Sequence, residues 1–259
     1  MASRERRLFP DGSILRADLG VRSREDLRSL SSAPGLAGIT VERASTELRL
    51  SLVDGLGEGA VSLGNFMNAE TIALRASGAG AGASISNPYF PQVHYGIDPA
   101  EGQVHVALPG VKEIHSYDQH GALERIVRQE VPLYPLTEEM MDASLEALLV
   151  QPGAKEFSPF TMATAFGLLS VPDSVFPYSG LEVDTEGNLW LLDRYRLTSG
   201  GPEPYQLFDA DGMWLGPLVL PQGIGHVLER GDGYLLTEWL GELDVPYLRM
   251  YRLRKGQQE

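Results

Sequence analysis

One short signature recurs along this chain and limits what it can fold into: an acidic residue, a glycine, one further residue, then an apolar run. It reads PDGSILRAD at 10–18, AEGQVHVAL at 100–108, TEGNLWLLD at 185–193 and GDGYLLTEW at 231–239. Glycine at that point supplies the positive φ that a tight hairpin turn requires, and short apolar pieces between such turns predict antiparallel meanders. Gly187 and Gly233 stand 46 residues apart, the length of one propeller blade, whereas the earlier spacings, 90 and 85, are about twice that. The third strands also align, as KEIHSYDQHG from Lys112, PYQLFDADG from Pro204 and PYLRMYRLRKG from Pro246. The high content of turn formers, 29 Gly and 17 Pro in 259 residues, fits many short strands.

Two inserts explain the long spacings. Residues 64–88 include GAGAGAS, which offers too little side-chain area to pack and is expected to be a long loop. Residues 135–177 contain TEEMMDASLEALLV, in which Thr137 is a candidate N-cap followed by Glu138 and Glu139. Met141, Leu145, Leu148 and Leu149 share one helical face, so one α-helix is expected there, packed on the rim of the sheets. The expected fold is therefore all-β: a propeller-type array of about four four-stranded antiparallel blades in a single domain, 1–259, with one inserted helix. The blade units fall at about 7–63, 89–133, 178–221 and 222–256, and the last holds three strands. The first unit starts almost at its second strand, so the chain is expected to be an incomplete arc, open to self-association through its blade edges. Closure of a smaller ring by residues 8–15 is the alternative.

Charge and composition exclude several roles. With 21 Lys+Arg against 35 Asp+Glu the formal net charge is −14, and apart from RERR at 4–7 no dense basic block exists, which argues against nucleic-acid and anionic-membrane binding. There is no cysteine, hence no disulfide framework and no thiolate chemistry. No stretch has the length of a membrane span, and the N-terminus lacks the apolar core of a signal peptide, which leaves localisation open.

The pieces EGNLWLLDRYR, PYQLFDADGMWLGPLVLP and GDGYLLTEWLGELDVPYLRMYRLRK resemble bacterial six-bladed β-propeller proteins related to the NHL-repeat group, most strongly over 181–255 and more weakly over 95–137. The resemblance implies six blades, hence missing N-terminal ones, and a family of mostly uncharacterised exported or lipid-anchored proteins. Its better-known relatives are binding scaffolds, lactonases and lyases. Zinc lyases of this group use inner-strand histidines, and calcium-dependent lactonases set acids around a central channel.

The residues themselves favour binding over catalysis. No HxH or HExxH pair, G-x-S-x-G elbow or phosphate loop occurs. His105, Glu182 and Asp184 are the weak metal candidates, and Asp184 is also simply read as a turn former. The candidate contact surface is the set of loops after the second strands, with Arg194, Tyr195, Arg196, Glu238, Trp239 and Asp244, because Arg, Tyr and Trp on clustered loops suit recognition. The expected function is a non-catalytic interaction scaffold for a protein or small molecule, without cofactor. The alternative is a metal-dependent hydrolase, lactonase or lyase using calcium or zinc.

Overall fold

The computed structural model describes residues 4–9, 11–27, 33–55, 59–76, 82–98, 100–130, 133–193, 203–241 and 245–253. The architecture is all-β, a propeller-like array of antiparallel meander sheets in which every paired strand neighbours the next in sequence. The first sheet contains β1 (Arg4–Leu8), β2 (Ile14–Asp26), β3 (Ile39–Val53), β4 (Ala60–Ala76) and β5 (Gly82–Ser86). The second contains β6 (His94–Ile97), β7 (Val104–Leu108), β8 (Glu113–Tyr117) and β9 (Leu123–Arg128). After a two-stranded ribbon of β10 (Tyr134–Pro135) and β11 (Ser174–Val175) comes the third sheet: β12 (Tyr178–Val183), β13 (Leu189–Asp193), β14 (Glu203–Phe208) and β15 (Trp214–Leu220). The fourth has three strands, β16 (His226–Gly231), β17 (Tyr234–Leu240) and β18 (Pro246–Arg252).

The turn signature works by two devices. Gly102, Gly187, Gly212 and Gly233 adopt φ of 71°, 78°, 82° and 68°, as hairpin reversal demands. A second device lies just upstream, where an aspartate accepts backbone N–H groups across its own turn. Asp118 Oδ1 accepts from His120 and Ala122, Asp184 Oδ1 from Glu186 and Asn188, and Asp209 Oδ1 from Met213. These carboxylates satisfy donors that a reversing chain cannot pair with itself.

Alternation along each strand then builds the seams between sheets. Leu15, Leu50 and Leu52 of the first sheet meet Val104, Val106 and Tyr117 of the second, together with Val93 just before β6. Ala107 and Ile114 meet Tyr178, Leu181, Leu189, Leu191 and Phe208 of the third. On the opposite face of β13, Trp190 packs with Tyr205, Leu220, Ile224 and Leu235, joining the third sheet to the fourth. Among the described residues no hydrophobic cluster joins the fourth sheet to the first.

The first sheet departs from the expected blade at 7–63 followed by a loop at 64–88. Its inner strands are 13, 15 and 17 residues long, and β4 and β5 run through the stretch expected to be a loop. The reason is burial that local composition hides: Ile72, Leu74 and Ile85 are fully buried, and residues 82–84 of the glycine-alanine segment pair with β4. β3 serves two cores. Its even residues Leu48, Leu50 and Leu52 face the second sheet, whereas odd Val41 lies in a separate core with the helical insert. The extra residues of the bulges fall in β2 and β4, so the alternation of β3 is unbroken and the two cores lie on opposite faces.

The insert holds more than the one expected helix: α1 (Glu138–Leu149), a 3-10 helix (Pro152–Glu156) and α2 (Pro159–Phe166). Thr137 caps α1 by accepting from the Met140 N–H at 3.3 Å, and Leu145, Leu148 and Leu149 pack into the core with Val41, Ile72 and Leu74. The sequence PFTMATAF is apolar nearly all round and shows no helical stripe, so α2 escapes a periodicity search, although Ser158 caps it at 3.0 Å. Buried Glu70 ties the insert to the sheet. It accepts from Asn87 Nδ2 (2.6 Å), the Ser170 N–H (3.0 Å) and Ser170 Oγ (2.7 Å), and it pairs with Arg43 at 3.4 Å.

Candidate functional site

The three metal candidates are each engaged in the fold. Asp184 is buried, and its Oδ2 accepts from Asn188 Nδ2 at 2.9 Å and from the Trp190 indole at 3.0 Å, while Oδ1 holds the turn. Its carboxylate thus fixes both a hairpin and the tryptophan at the next seam. Glu182 pairs with Arg230 of the fourth sheet. That guanidinium lies 5.3 Å from the Trp190 ring centroid and 5.6 Å from that of Tyr205, and it donates to the Tyr205 hydroxyl at 3.3 Å. The Glu182–Arg230 pair therefore clamps the third sheet to the fourth.

His105 sits in β7 with 1% of its surface exposed, its Nδ1 2.9 Å from Ser116 Oγ and its Nε2 buried with no partner among the described residues. Burial holds its pKa down to about 4, so the ring is neutral at physiological pH. Of the three histidines of the second sheet, His94 and His105 share one face. His115 alternates to the other face of the second sheet and bonds Glu113 at 2.8 Å. Glu182 and Asp184 belong to the third sheet's first hairpin and His105 to the second sheet, and no group of three His, Cys, Asp or Glu able to hold a metal occurs among the described residues.

Of the candidate contact residues, Arg194, Tyr195, Arg196 and Asp244 lie outside the described residues. Glu238 and Trp239 are consecutive in β17 and so point to opposite faces. Trp239 is the centre of a cluster absent from the sequence reading. The Arg249 guanidinium stacks 4.1 Å from its ring centroid, and Tyr247, its register partner on β18, lies 6.0 Å away at a 41° tilt. Tyr247 is 52% exposed. The other face of the same two strands carries exposed Leu240, Leu248 and Met250, the last 70% exposed. The alternation was available in the sequence: PYLRMYR carries two sets of large side chains, and the seam with the third sheet takes the side of Leu235 and Tyr251.

No protein-family model and no curated protein matches the chain. Among solved structures it is similar to a gluconolactonase from Xanthomonas campestris, at 16% identity over 89% of this chain and 52% of that one, with a TM-score of 0.35. It is also similar to a luciferin-regenerating enzyme (11% identity, 90% and 83% covered, TM-score 0.24) and to the calcium-binding protein regucalcin from Agrobacterium tumefaciens strain C58 (11%, 94% and 84%, TM-score 0.23). This chain spans about half the length of the gluconolactonase, and likeness at these scores assigns no activity to it.

Proposed function

We propose that this chain is an interaction scaffold that engages a protein partner through its fourth sheet. The observation that supports the reading is the Trp239, Tyr247 and Arg249 cluster on the fourth sheet, whose edge strand β18 is exposed along six of its seven residues. Trp, Tyr and Arg carry most of the energy in protein interfaces, and the exposed Leu240, Leu248 and Met250 on the opposite face of the same strands leave both sides of this edge open to contact. Of the weak metal candidates, Asp184 holds a turn and Glu182 pairs across the seam between the third and fourth sheets.

Trp239→Ala combined with Arg249→Ala should abolish capture of the partner by the immobilised full chain while leaving the unfolding midpoint within a few degrees. Undiminished capture would reject this surface. The metal-dependent hydrolase or lyase reading is the rival to test, since the similar solved structures are named as enzymes and as a calcium-binding protein. Stoichiometric calcium or zinc in the purified protein, lost on Asp184→Asn or His105→Gln without unfolding, would replace the scaffold reading with that one.

A further inference from the structure

At the rim of the seam between the second and third sheets is a cleft of about 280 Å³ lined by Arg128, Gln129, Glu130, Gln206, Phe208 and Trp214. Phe208 and Trp214 face each other in the β14–β15 ladder, so both rings point to the same side of the third sheet. Phe208 is buried in the seam and Trp214 is 61% exposed, a large apolar ring left open to solvent. Its position is fixed: the indole N–H donates to Gln206 Oε1 at 3.1 Å, and Gln206 Nε2 donates in turn to Asp193 at 3.4 Å. Across the cleft, Arg128 Nε donates to Glu113 at 3.0 Å, and the Gln129 backbone N–H donates to the Lys112 carbonyl at 3.0 Å. The Gln129 side-chain Nε2 is buried and has no acceptor among the described residues.

We propose that this cleft is a small-molecule site for a neutral, hydroxyl-rich ring such as a single pyranose. Three observations converge on that chemistry. The indole offers a flat apolar wall suited to the C–H face of a saturated ring, edged by polar groups. Arg128 and Glu130, the two charged residues of the lining, carry opposite signs, and Arg128 is already paired with Glu113, so no free cation is left to select an anion. The unpaired Gln129 amide needs an acceptor and Gln206 retains capacity to donate and accept, which hydroxyl groups can meet in both senses. The volume lies at the lower end of small-molecule sites, enough for one ring. The site is independent of the fourth sheet and of the scaffold reading.

The test is calorimetric titration of the full chain with the methyl glycosides of glucose, galactose and mannose, and with adenosine as a planar aromatic control. At least one glycoside should bind saturably. Trp214→Ala should weaken it more than about tenfold and Gln129→Leu about tenfold, while Arg249→Ala leaves it unchanged. Thermal unfolding of each variant separates lost binding from lost fold, and Gln129→Leu carries the test should Trp214→Ala not fold. Absence of binding by all three glycosides, binding indifferent to both cleft variants, or binding of adenosine alone would each overturn the proposal.

Discussion

The third sheet and the first sheet are both antiparallel meanders, yet they are stabilised in different ways. In the third, β13 is five residues long and buried on both faces, with Leu189 and Leu191 against the second sheet and Trp190 against the fourth. In the first, β3 is fifteen residues long and each half is buried on one face only. A strand covered on both sides must be apolar throughout, as LWLL is. One covered on alternate sides at its two ends can carry charge along its whole length, as VERASTELRLSLV does. The difference places the third sheet's stability in the packing of neighbouring sheets and that of the first partly in polar links to the helical insert.

Four substitutions would break or sharpen this contrast. The largest effect is expected from Trp190→Ala, which empties the seam between third and fourth sheets and should cost about 3–5 kcal/mol in denaturant unfolding. Glu70→Ala should cost about 3 kcal/mol, because the Ser170 N–H and hydroxyl lose their buried acceptor and Arg43 and Asn87 each lose one of their partners. Amide exchange after that substitution should rise in α1 and α2 and stay unchanged in the third sheet. A uniform rise would erase the distinction between the two regions.

Acid provides a test of the seam between the second and third sheets. His105 has a folded pKa of about 4, below its ordinary 6.5, so the unfolded chain binds a proton that the folded chain excludes. Its contribution is fully present above about pH 6.5 and is lost as pH falls toward 4, amounting to about 3 kcal/mol. The stability difference between wild type and His105→Gln should therefore narrow across that window, and a constant difference would show that His105 does not titrate there. The smallest effect, about 1–2 kcal/mol, is expected for Gly187→Ala, where φ is 78° and a Cβ would stand 2.6 Å from Asp98 Oδ2. A circular-dichroism melt checks it, and an unchanged midpoint would mean that the hairpin relaxes.

How much could be read in advance follows from the same contrast. The turns at Gly102, Gly187 and Gly212 and the strands they join were legible because the signal is local: a glycine that must reverse the chain beside a strand apolar on both faces. The course of β4 and β5 was not, because Ile72, Leu74 and Ile85 become core residues only when the helical insert, about 70 residues later, covers them. Asp184 was legible first as a turn former and only weakly as a ligand, whereas its bond to the Trp190 indole, formed within one hairpin, had no signature in the sequence. Trp239 could be singled out by type, whereas its partner Arg249 could be found only once β18 was laid against β17 in register. The Trp214 cleft depends on residues from two sheets and had no signature in either alone.

The two-sided course of β3 also bears on how this chain can change in length. Since side chains alternate strictly, one residue inserted between Ser45 and Leu48 would turn either Val41 or the Leu48, Leu50 and Leu52 row away from its core, whichever half kept its pairing. No shift of register rescues both halves, because each is phased to a different partner on a different side. Hairpin ends and the insert's connections can absorb such a change freely; the middle of β3 could do so only by forming a bulge of its own, as β2 and β4 do on either side of it, and there the constraint falls on the count of residues more than on their identity.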